Sequence, residues 1–91
     1  MTTNIVQIGN TDNKLTQRQW SEFCNEIQYA IEMNATEVHF TGFSNPNTPW
    51  QNACFVFNLE KTDNLKASIF EIRNRYKQDA VAWTEGTTQF I

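Results

Sequence analysis

One run of residues limits the fold more than any other. From Trp50 to Leu59 the chain reads Trp-Gln-Asn-Ala-Cys-Phe-Val-Phe-Asn-Leu. Ala53, Phe55, Phe57 and Leu59 alternate with Asn52, Cys54, Val56 and Asn58. That alternation places the two sets on opposite faces of a strand. The first set is the stronger core face and requires a covering layer. The second set is mixed. Trp50, Cys54 and Val56 stand where a sheet facing water would carry polar side chains.

The rest of the chain supplies the covering layer. Asn4–Gly9 reads as a strand, with Val6 and Ile8 on one face and Ile5 and Gln7 on the other. The cluster from Gly9 to Lys14 is rich in turn formers and breaks it. Thr16-Gln17-Arg18-Gln19 is a capping box, and a helix follows to about Asn34, a candidate left-handed cap. Its stripe is Trp20, Phe23, Ile27, Ala30 and Ile31, with Cys24 at the edge. Thr36–Phe43 reads as a strand, with Val38 and Phe40 on one face and Glu37, His39 and Thr41 on the other. A loop holding Pro46 and Pro49 cannot continue the ladder and joins this strand to the next. Thr62 or Asp63 caps a second helix with the stripe Leu65, Ile69, Ile72 and Tyr76. Ala80–Thr84 is a last strand, Glu85-Gly86 a turn signal, and Thr87–Ile91 a candidate return strand.

The order is strand, helix, strand, strand, helix, strand. It predicts one α+β domain over residues 1–91: a ferredoxin-like βαββαβ sandwich. An antiparallel sheet carries two helices on one face and leaves the other open, with an extra C-terminal strand as an option.

Composition narrows the function classes. Ten acidic against seven basic residues give a net charge of −3, which disfavours a general phosphate-backbone binder. No stretch of 18 apolar residues predicts a membrane span, and the N-terminus lacks the pattern of a signal peptide. Two cysteines in such a chain read as reduced thiols, so the expected location is cytoplasmic. No catalytic, cofactor or metal signature stands out, and the expectation is a non-enzyme without a cofactor.

Several residues are candidates for function. If Phe40 stands opposite Ala53 across the 43–50 loop, then His39 stands opposite Cys54 on the open face. A histidine beside a thiol can activate it, so a small enzyme built on Cys54 and His39 is one alternative. Glu22 and Glu26 lie at helical spacing and form either a solvated face or an acidic contact patch. Trp50, at the exit of the Pro-bearing loop that holds Asn47, joins Cys54, Val56, His39 and Gln7 as a candidate contact surface. Tryptophan is favoured at the centre of interfaces because it buries a large area and keeps one donor.

Two resemblances add expectations. Val6-Gln7-Ile8-Gly9-Asn10-Thr11 resembles the first-strand motif of the RNA-recognition-motif family, which shares this element order. The resemblance implies nucleic-acid binding by aromatics of the first and third strands. Here Gln7 occupies the first-strand aromatic position, Gln51 the basic position and Ala53 an aromatic position of the third strand. Phe55 alone matches. The second resemblance rests on Trp50-Gln51-Asn52-Ala53-Cys54 and Tyr76-Lys77-Gln78-Asp79-Ala80-Val81-Ala82-Trp83, and is to small proteins of phages and plasmids. It implies a stoichiometric inhibitor of a host defence system, in the manner of anti-CRISPR proteins. The leading expectation is therefore a small binding protein that acts by protein–protein contact, its partner a host nucleic-acid-binding complex. Nucleic-acid or nucleotide binding is the alternative, and homodimerisation is compatible with either.

Overall fold

The first helix forms because its start is capped and its apolar residues fall on one stripe. The Gln19 amide donates to Thr16 Oγ1 at 3.2 Å, and the Thr16 amide donates to Gln19 Oε1 at 2.9 Å. Two of the four amides that a helix start leaves unpaired are thereby satisfied. A computed structural model describes residues 2–10, 14–45, 50–60 and 63–91 of the chain. Its elements are β1 (Thr2–Gly9), α1 (Gln17–Asn34), β2 (Glu37–Phe43), β3 (Asn52–Asn58), α2 (Asp63–Arg75) and β4 (Ala82–Thr87). The strands form one sheet in the order β2-β3-β1-β4, with every pairing antiparallel. This is the ferredoxin-like βαββαβ arrangement.

One sheet face makes the core with both helices. Val6 and Ile8 of β1 and Ala53, Phe55 and Phe57 of β3 are buried with Phe23, Ile27 and Ile31 of α1 and Leu65, Ile69 and Ile72 of α2. Phe55 and Phe57 are wholly enclosed, and burying each is worth about 2–3 kcal/mol. Trp83 of β4 closes this layer at one side, edge-on to Phe57 with ring centroids 5.6 Å apart.

The two helices end differently. Asn34 is the last residue of α1 and not a left-handed cap. Its side-chain Nδ2 donates to the Ala30 carbonyl at 2.7 Å, one turn back, and Ala35 turns directly into extended chain. The left-handed residue lies after α2 instead. Lys77 has φ 55, the Gln78 amide reaches back to the Arg73 carbonyl and the Lys77 amide to Asn74. These two bonds define a Schellman motif, here with lysine in the position that glycine usually takes.

The C-terminal strand also departs from expectation. β4 runs from Ala82 to Thr87, with Gly86 inside it opposite Thr3. Glu85-Gly86 is not a turn, and residues 88–91 form no return strand. The reason is β1, which starts at Thr2 and offers β4 a partner at every position up to Thr87.

Candidate functional site

The register of β2 on β3 decides what the open face presents. Gly42 stands opposite Cys54 and Phe43 opposite Ala53, a shift of three residues from the expected pairing of Phe40 with Ala53. Pairing continues past Phe43. The Ser44 amide donates to the Asn52 carbonyl at 2.8 Å, and Ser44 Oγ accepts the Asn52 amide at 2.9 Å. An odd shift exchanges the faces of a strand. Phe40 therefore moves from the expected core side to the open face, where it pairs with Val56. A bulge between Val38 and Phe40 absorbs one residue, so Val38 still pairs with Phe57 on the helix side.

His39 is the residue at that bulge. It does not face Cys54, and the expected thiol–imidazole pair is absent. Its Nδ1 lies 3.9 Å from the Glu37 carboxylate instead. The other cysteine, Cys24, is enclosed by the core, and burial pushes its thiol up to about 12. Among the described residues, no group of three His, Cys, Asp or Glu gathers to hold a metal.

The register builds an apolar row across the open face. Phe40 pairs with Val56, Val56 with Ile5, and Ile5 with Thr84, one residue from each strand. The next row is Gly42, Cys54, Gln7 and Ala82. The Phe40 ring lies across Gly42: a Cβ added there would meet Phe40 Cζ at 2.5 Å. Glycine is needed for that close approach, and the ring remains 56% exposed. A shallow groove of about 350 Å³ opens beside it, lined by Gln7, Phe40, Gly42, Ser44, Asn52 and Cys54. Among the described strand residues that point to this face, Glu37 alone carries a charge.

The sequence candidates separate accordingly. Gln7 and Cys54 come together in the groove, with Val56 in the adjacent row. Trp50 is 63% exposed at the entry to β3, where its carbonyl accepts the Asn52 side-chain amide, but it is not part of the groove lining. Asn47 lies outside the described residues. Glu22 and Glu26 belong to α1, behind the sheet, and cannot share a contact surface with the open face.

Each of those carboxylates also has a cationic partner. Arg18 Nε lies 3.2 Å from Glu22, one helical turn away. Glu26 receives Arg75 Nη2 at 2.6 Å and the Tyr76 hydroxyl, which ties α1 to the end of α2. Desolvation alone would raise the Glu26 carboxyl, but the hydrogen bonds from Arg75 and Tyr76 outweigh it and hold the group below its usual value. Burial, then the bond to Glu26, pushes the Tyr76 hydroxyl up to about 12. The expected acidic patch is thus compensated, and Glu26 serves as a clamp between helices.

Phe55, the third-strand match to the RNA-recognition motif, is wholly buried against the helices and offers no stacking surface. Phe40 and Gly42 are the residues that sequence reasoning missed. The signal that could have placed them is the Thr41-Gly42-Phe43-Ser44 stretch, where a glycine in a strand marks close approach of a neighbour and Ser44 can extend the ladder. A larger concavity of about 680 Å³ lies between the two helices, and its lining includes Tyr29, Met33 and both members of the Glu26–Arg75 clamp. Among the described residues, no helix is long and apolar enough to cross a membrane. Compared with known protein families and with curated proteins, the chain matches neither a family model nor a curated sequence.

Proposed function

We propose that this protein is a non-enzymatic binding domain that recognises a partner protein through the open face of its sheet. The observation that carries this reading is the row Phe40–Val56–Ile5, an uncharged apolar strip with a half-exposed aromatic at its end. An exposed aromatic lying over a glycine is a large-area anchor, the kind of side chain that dominates protein contacts. The neutrality of the face favours a protein partner over nucleic acid. A phosphate backbone calls for clustered Lys and Arg, and the described strand residues on this side offer neither. The partner surface that fits is itself apolar, with a hydrogen-bonding group for Gln7.

The test is a photo-crosslinking amino acid placed at Phe40, compared with the same group at Tyr29 behind the sheet. The expected result is a defined adduct with one partner protein from Phe40, abolished by excess unlabelled protein. The Gly42→Ala variant then separates contact from folding. Its methyl displaces the exposed Phe40 ring, which is free to swing into solvent, so stability changes by less than about 1 kcal/mol. Displacing the aromatic anchor costs about 1–2 kcal/mol of binding, or roughly tenfold or more in affinity. Adducts that form equally from both positions, or a Gly42→Ala variant that binds at full strength, would refute the open-face contact.

A further inference from the structure

We infer that the β4 edge pairs with the β4 edge of a second copy of this chain, joining two four-stranded sheets into one of eight strands. The two edges of the sheet are built differently. β2 carries a bulge at His39, a device that spoils an edge for further pairing. β4 has none. It pairs with β1 without interruption from Ala82 to Thr87, contains no proline, and on the open side carries only Ala82, Thr84 and Gly86. Its outer row of backbone groups has no strand partner among the described residues. Natural edge strands are usually protected by a charge, a proline, a bulge or a covering element. The one charge on β4, Glu85, points to the helix side and is held by its own Lys66 at 3.3 Å, so the edge remains a pairing surface.

Self-complementarity selects a second copy as the occupant. A two-fold axis through Thr84 sets Thr84 against the partner's Thr84, Ala82 against the partner's Gly86, and Trp83 against the partner's Glu85. The small open-side residues permit close approach. On the helix side, Lys66 Nζ stands 5.1 Å from the centre of the Trp83 ring and 3.3 Å from its own Glu85. The pairing brings the partner's Glu85 to that same ring, so each lysine lies within reach of a carboxylate from both copies. An isologous contact needs this pattern, the same patch holding both charges. The pairing also continues the apolar row: Phe40, Val56, Ile5 and Thr84 of one copy run on into Thr84, Ile5, Val56 and Phe40 of the other. It leaves the open face exposed, so it is independent of the function proposed for that face.

A single edge is a small contact, and the dimer is expected to be a reversible one that dissociates on dilution. Sedimentation of the full chain over a dilution series from millimolar to low micromolar should show a monomer–dimer equilibrium. Thr84→Lys places two ammonium groups opposite each other at the axis and should weaken association about tenfold or more. Circular dichroism establishes whether that variant folds. Thr84→Cys in a Cys54→Ser background supplies the independent measurement, since opposed residues in antiparallel strands lie about 4.5–5.5 Å apart, within disulfide range. Mild oxidation should link it as a dimer much faster than a Ser21→Cys control. A monomer at every concentration, a dimer that Thr84→Lys leaves intact, or equal cross-linking of the two cysteine variants would each overturn the inference.

Discussion

Asn10 is the residue whose removal should cost the fold most for its size. It follows β1 and is 1% exposed, yet its side chain is fully engaged. Oδ1 accepts the Leu15 amide at 3.0 Å, and Nδ2 donates to the Leu15 carbonyl and to Gln51 Oε1, both at 3.0 Å. The Asn10 amide also donates to the Gln51 carbonyl at 2.8 Å. One side chain thus imitates a piece of backbone. It holds Leu15, just ahead of the α1 cap, and fastens that segment to the entry of β3. Truncation in Asn10→Ala leaves the amide and carbonyl of Leu15, a residue itself buried, without their partners. Each buried orphan costs about 1–2 kcal/mol, so the expected loss is about 2–4 kcal/mol. For a domain of this size that lowers the melting temperature by roughly 10–25 °C. Urea unfolding followed by tryptophan fluorescence and by circular dichroism measures it.

Asn10→Asp tests the mechanism with almost no change in volume. The carboxylate still accepts from Leu15, but its second oxygen confronts the Leu15 carbonyl. The Gln51 amide can turn over to donate; the carbonyl cannot. Apposition to that carbonyl disfavours the ionised form and raises the folded-state pKa of the new acid. The deficit relative to wild type should then be full above that pKa and shrink as pH falls through it, when the acid can donate again. An Asn10→Ala loss below about 1 kcal/mol would refute the hydrogen-bond account. So would an Asn10→Asp deficit that does not narrow on acidification.

Two further outcomes are expected. Lys77→Gly should stabilise the protein by about 0.5–1 kcal/mol, because the left-handed conformation costs an L-residue about 1 kcal/mol and glycine gives part of that back as unfolded-chain entropy; equilibrium unfolding checks it, and an unchanged or lower stability counts against the assignment. Tyr76 should titrate at about 12 in a spectrophotometric titration made in a Tyr29→Phe background, against an ordinary value of 10.0. Its folded-state pKa is raised, so its contribution to stability is complete below pH 10.0 and is lost as pH rises through about 12. Glu26→Gln removes the acceptor charge and should bring the Tyr76 value down; no movement would show that burial alone sets it.

The element order and the core were legible in the residues. A period of two in Ala53–Leu59 and of 3.6 in Trp20–Ile31 and Leu65–Ile72 reports directly which side of each element meets the others, because burial of apolar area is what holds the layers together. The capping box at Thr16 was equally plain, since it needs only groups three residues apart. These are local signals. The contact face was not local. It turns on a three-residue difference in how β2 slides along β3, set by Ser44 and Asn52 at the mouth of the loop and by the bulge at His39. No periodicity within β2 announces the bulge that separates Val38 from Phe40, which alternation alone puts on one face. Only the assembled sheet moves Phe40 to the open side and removes His39 from Cys54, and only the packed helices tie Glu26 to Arg75 and Tyr76, some fifty residues further along. The sequence by itself therefore determined the layers and the core of this domain. The tertiary structure decided what its open face and free edge present to another molecule, because register and cross-element pairing depend on contacts between segments far apart in the chain.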